Sequence, residues 1–257
     1  MEELMKHVFP PAAIEAAKVH ALKEHPKESC GLIIGSRYYR CKNVAANPLT
    51  DFKIDDKEVV SKLQRGDIRC VVHSHNNYPH CSEKDQAIQI ASGFTFMIIN
   101  IFNNRINDIW WWGDDIEPDE LVGRKFRNGS HDCYALVRDW YRINRDVLLP
   151  TKAHRLTWFK DKKDEEGNVI RPKIDLLVDN VKEFGFKFIS PEGPFEVGDV
   201  FMARDRSEVV NHTAICLQQG LILHHLYGKL SCTEPLINYR KYIERVARYD
   251  KEIQWVN

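Results

Sequence analysis

The sequence predicts an α+β protein of two domains, and three observations carry that prediction. Its 257 residues exceed one domain of common size and suit two of about 110–150 residues, each able to bury its own core. Residues 1–112 alternate between helical and strand-like apolar periods, the pattern of a mixed sheet with helices. Residues 127–257 place a helix ahead of several short strands, the plan of a helix plus a small antiparallel sheet.

The first half reads, in order, as a helix in AAIEAAKVHALKEH and two strands in CGLIIGSRYYRCKNVA joined at a Gly-Ser turn. A helix around KEVVSKLQ, a strand IRCVVHSH, a helix EKDQAIQIAS and strands TFMIINIF and INDIWWW follow. The run Trp110-Trp111-Trp112 is read as core or interface. A charge run, a Pro and scattered Gly then mark residues 113–126 as a linker. Beyond it, HDCYALVRDWYRIN carries apolar and aromatic residues at helical spacing. Lys173–Glu183 reads as a second helix, KDKKDEEGN as a solvated loop, and DVFMAR, HTAICLQ and LILHHL as strands.

Lys and Arg total 37, as do Asp and Glu, so no net charge draws the chain to nucleic acid or to an anionic membrane. No stretch approaches the roughly 18 apolar residues that span a bilayer. MEELMKHVFPP lacks the basic-then-apolar order of an export signal, so the expectation is a protein made in the cytosol. The seven cysteines have no paired ribbon or redox spacing and are expected to be reduced thiols.

Two constellations carry chemistry. His73 and His75 stand two apart at the end of a strand, which turns both imidazoles to one face. Asp85, near a helix start, completes a three-ligand set that leaves a fourth tetrahedral position for water, the arrangement of a catalytic Zn2+ site. Glu28 can serve as base and Ser82 as oxyanion donor. Ser82 and Asp85 also read as a capping box, which needs only a helix start. His80 is read as a surface histidine.

As a set, PKESCGLIIG, VVHSH and CSEKD resemble the signature of the JAMM (MPN) zinc metalloproteases across residues 1–112. That resemblance implies metal ligands at His73, His75 and Asp85, an acid/base at Glu28 and an oxyanion donor at Ser82. Asn76 stands where that family usually has Pro, and the loop from His75 to Ser82 is one residue shorter than usual, with Pro79 inside it.

The second constellation is Cys133, His212 and His224. Asp132-Cys133 opens a helix, whose N-terminus is expected to lower the thiol pKa. His212 begins a strand and can draw off the thiol proton. His224 lies twelve residues on, across a hairpin turning at Gln218-Gln219-Gly220, and can fix the tautomer of His212. His225 is adjacent and faces the other way, and Cys216 is read as core. Asp132-Cys133-Tyr134-Ala135-Leu136-Val137, Gly198-Asp199, His212 and His224 resemble the NlpC-type cysteine peptidases, a papain-like group. Tyr134-Ala135 replaces the commoner Ser-Gly of that family.

The two domains together, with LHHLYGKLS, resemble a family of tail-tip assembly proteins of lambda-like phages. This implies a bifunctional peptidase with tail-tip proteins as partners, acting on tail proteins or on peptidoglycan stem peptides. It also implies a location in the bacterial cytoplasm during assembly or at the virion tail tip. The alternative is an assembly module in which the sites have decayed and the folds serve as docking surfaces.

Overall fold

A computed structural model describes residues 9–63 and 66–252 of the chain. Most of the N-terminal stretch read for an export signal, and Gln64 in the second predicted helix, lie outside the described residues. The chain forms two compact units, Met1–Cys81 with Ala87–Glu117 and Ser82–Gln86 with Pro118–Asn257.

In the first unit, α1 (Pro11–Glu24) begins at a proline whose fixed φ suits the first helical position. A hairpin of β1 (Cys30–Ile34) and β2 (Arg37–Cys41) turns at Gly35, whose φ of 56° is the left-handed conformation that glycine tolerates. Then come α2 (Asp56–Leu63), β3 (Ile68–Asn76), α3 (Glu83–Ser92), β4 (Phe96–Phe102) and β5 (Arg105–Trp112). The sheet runs β2-β1-β3-β4-β5, antiparallel except for the β3–β4 pair, whose connection contains α3.

Both faces of this sheet are covered, which is why β1 and β4 read as continuous apolar runs. Leu32, Phe96, Ile98, Trp110 and Trp112 pack on one face. Ile33, Val72, Met97 and Ile99 pack with Ala13 and Ala17 of α1 on the other. The tryptophan run is therefore core. Strand alternation sends Trp111 to the α1 side, where it meets Phe9 edge to face at 5.9 Å.

The second unit opens with α4 (Cys133–Arg145) and continues through β6 (Lys162–Lys163), β7 (Val169–Arg171), α5 (Leu176–Asp179), β8 (Phe186–Ile189) and β9 (Val200–Ala203). It ends with β10 (His212–Cys216), β11 (Leu221–His224), β12 (Cys232–Pro235) and β13 (Ile243–Tyr249). Six of these strands form an antiparallel sheet ordered β12-β11-β10-β9-β13-β8. The apolar stripe of α4 (Leu136, Val137, Trp140, Tyr141) packs with Met202, Ile215 and Leu223 of the sheet. Phe201, Ala214, Ile222 and Val246 cover its other face.

Three expectations are corrected here. The helix read over Lys173–Glu183 is only the short α5, because the Asn180 side chain donates to the Leu176 carbonyl at 2.8 Å and takes over the bond that would continue the ladder. The charged loop KDKKDEEGN includes β6 and leads to β7, a small exposed hairpin. Residues 118–126, read as the end of a linker, are built into the second unit through Arg124. This buried guanidinium donates to the carbonyls of Asp119 and Glu120 and pairs with Asp139, while its backbone N–H donates to Ser231 Oγ. No helix among the described residues is long and apolar enough to cross a membrane.

Candidate functional site

Cys133 is the first residue of α4, and Asp132 caps the helix. One carboxylate oxygen of Asp132 accepts from the N–H groups of Tyr134 (3.1 Å) and Ala135 (2.9 Å), and the other accepts from Gly129 N–H (2.7 Å). The second oxygen also lies 3.3 Å from His154 Nε2. Burial alone would raise the Asp132 pKa, but His154 and these N–H groups outweigh it and hold the carboxyl at about 2. Against its own burial, His154 is raised by the hydrogen bond and charge of Asp132.

The thiol of Cys133 departs from expectation. Desolvation pushes it up to about 12 and the Asp132 charge adds to that push, while polar contact with Thr213 and the Tyr134 N–H opposes it. The helix N-terminus does not dominate because Asp132 already occupies its N–H groups and places a negative charge beside the sulfur. At neutral pH Cys133 is a thiol that needs a base.

The sheet supplies one. In the β10–β11 register Ala214 faces His224, so His212, two residues before Ala214, shares the face of His224. His212 Nε2 stands 3.2 Å from His224 Nδ1. Burial, His224 and His225 together depress the His212 pKa to about 3, which keeps its imidazole neutral. His224 Nε2 lies 3.4 Å from Glu234 Oε1. A carboxylate there favours the proton on Nε2 of His224, so that Nδ1 accepts from His212 Nε2–H. His212 then keeps its lone pair on Nδ1, the remaining nitrogen.

Cys133 and His212 both line a cavity of about 380 Å³, together with Asp132, His154, Trp158 and Tyr227. His225 lines it too, whereas His224 stands behind His212. Cys216 lies in the core.

In the first unit, Glu28, His73 and His75 are buried together. His73 Nε2 is 3.0 Å from His75 Nε2, which is 3.9 Å from Glu28 Oε1. His75 Nδ1–H donates to the Tyr78 carbonyl at 3.1 Å, leaving a lone pair on Nε2. Phe52 stacks on the His73 ring at 4.2 Å. Ser82 and Asp85 form the capping box: Asp85 N–H donates to Ser82 Oγ at 3.1 Å and Ser82 N–H to Asp85 Oδ2 at 2.8 Å. The Ser82 hydroxyl accepts there and keeps its own hydrogen to donate. His73 and His75 are imidazole donors of the kind that zinc takes. His80, read as a surface residue, is buried edge to face against the Tyr78 ring.

Sequence reasoning missed His154, Thr213, Cys232 and Glu234. Thr213 had a signal in its adjacency to His212. Cys232 and Glu234, spaced at a strand's period of two, also had one, but β12 is too short to show as a strand. His154 had none, since it sits in an irregular loop.

The chain is similar in structure to an NlpC/P60 family protein from Bacillus cereus, at 11% identity and a TM-score of 0.28, over 91% of this chain and 65% of that one. It is 27% identical over 247 residues to the tail tip assembly protein K of Escherichia phage N15, covering 92% of this chain and 93% of the relative. It is 29% identical over 178 residues to the tail tip assembly protein K of Escherichia phage lambda, covering 66% and 75% respectively. Residues 120–248, which hold Cys133, His212 and His224, match the NlpC/P60 family. The chain belongs to the NlpC/P60 family.

Proposed function

We propose that the second unit is a cysteine peptidase acting at a phage tail tip, where it cleaves amide bonds in tail proteins or in peptidoglycan stem peptides. The 3.2 Å contact between His212 and His224, beside a cavity that Cys133 and His212 share, carries this reading. The tail-tip setting rests on the two curated relatives.

In the first step the Cys133 S–H proton passes to His212 as sulfur bonds to the amide carbon and the carbonyl π pair moves onto oxygen. As that pair returns, the C–N bond breaks and His212 gives the proton to the leaving amine. Water, deprotonated by His212, then attacks the thioester and releases the acid and the thiol. His224 and Glu234 hold His212 in the required tautomer throughout. In intact protein, iodoacetamide is expected to label Cys133 ahead of the other six cysteines, read by peptide mass spectrometry. Labelling of Cys133 only after unfolding would contradict the proposal.

A zinc site is also proposed, on the resemblance of the sequence to the JAMM signature, with His73, His75 and Asp85 as ligands, Glu28 taking a proton and Ser82 donating to the oxyanion. Zinc there supplies Lewis acidity for a second amide hydrolysis. Metal analysis of purified protein is expected to show that His75→Ala loses a full equivalent of zinc relative to wild type. Unchanged zinc in the variant would overturn this site.

A further inference from the structure

The edge of the second sheet gathers His224, Glu234 and Cys232, and the proposed peptidase chemistry uses only the first two. Cys232 lies directly across from His224 in the β11–β12 register, and Glu234, two residues on, falls on the same face. Cys232 Sγ is 3.5 Å from His224 Nε2 and 3.7 Å from Glu234 Oε1, and Nε2 to Oε1 is 3.4 Å. Bonds of about 2.0–2.3 Å to a tetrahedral zinc ion would set its ligand atoms about 3.3–3.8 Å apart. The three atoms therefore already stand at three corners of such a tetrahedron. Imidazole, thiolate and carboxylate are also the donors that zinc takes. His224 is buried, but Cys232 and Glu234 are partly exposed, so an ion has a way in.

We infer that His224, Cys232 and Glu234 form a second Zn2+ site, distinct from the histidine pair of the first unit, and that filling it switches Cys133 off. The switch follows from proton positions. Metal on His224 Nε2 leaves the ring proton on Nδ1, which then points at His212 Nε2, 3.2 Å away. His212 must accept there, and its neutral ring then carries its proton on Nδ1. The nitrogen that served as base becomes a donor. This consequence rests on the roles proposed for Cys133 and His212, whereas the metal site does not.

Titrating the full chain with Co2+ tests the site, because a cobalt–thiolate bond produces a near-ultraviolet charge-transfer band and the His73, His75 and Asp85 group has no sulfur. The band is expected in wild type and in Cys133→Ala, to be lost in Cys232→Ser, and to need more Co2+ in Glu234→Gln. Its absence from wild type, or its full persistence in Cys232→Ser, would overturn the site. For the switch, Zn2+ is expected to slow iodoacetamide labelling of Cys133 on the order of a hundredfold, the low end of what a positioned base contributes. Cys232→Ser is expected to escape this slowing, and equal slowing in both proteins would overturn the switch. If Cys133 fails to react without metal, the peptidase reading and the switch fall together, and the cobalt band alone decides the site.

Discussion

Replacing His212 with alanine is expected to slow both alkylation of Cys133 and amide hydrolysis by about 10²–10⁴-fold, the usual contribution of a positioned base. The effect is large because of the thiol's surroundings. Burial and the Asp132 charge push Cys133 up to about 12, so without a base only a minute thiolate fraction exists at neutral pH. His212, held near 3, stays neutral around neutral pH. Wild-type alkylation should therefore vary little around neutral pH. The His212→Ala rate should climb about tenfold per pH unit, as the thiolate fraction does below its pKa. Parallel pH profiles for the two proteins would show that His212 does not take the proton.

Asp132→Ala is expected to destabilise the second unit by about 3–5 kcal/mol in urea unfolding, the range for removing one partner of a buried ion pair. About 1 kcal/mol of that is the lost helix cap. Asp132→Asn keeps a capping oxygen and should fall in between. Asp132 is depressed to about 2 from 3.8, so its contribution is present above 3.8 and lost as pH falls through about 2. His154 is raised above 6.5, so its contribution is full below 6.5 and fades as pH rises through the folded value. The stability gap between wild type and Asp132→Asn should be widest between those limits and narrow in alkali. A gap independent of pH would mean that the pair is not ionic.

The fold was legible wherever apolar periodicity ran long enough. The alternation of β3 turned His73 and His75 to one face, and the hairpin spacing brought His212 to His224. The capping box read from Ser82 and Asp85 forms. What the sequence hid depended on tertiary placement. His154 reaches Asp132 from an irregular loop, and no spacing announces that pairing. The thiol of Cys133 was misjudged because a helix terminus is visible in sequence while the desolvation around it is not. α5 was overextended because a side chain, Asn180, ends it rather than a Gly or Pro. Arg124 looked like linker charge because its partners, Asp139 and Ser231, lie far along the chain.

Digestion of purified peptidoglycan stem peptides and tail-tip proteins by the full chain decides whether Cys133 makes it a peptidase. New amine and carboxyl ends are expected from the wild type and none from Cys133→Ala. Equal cleavage by both proteins, or none by either on both kinds of substrate, would contradict it.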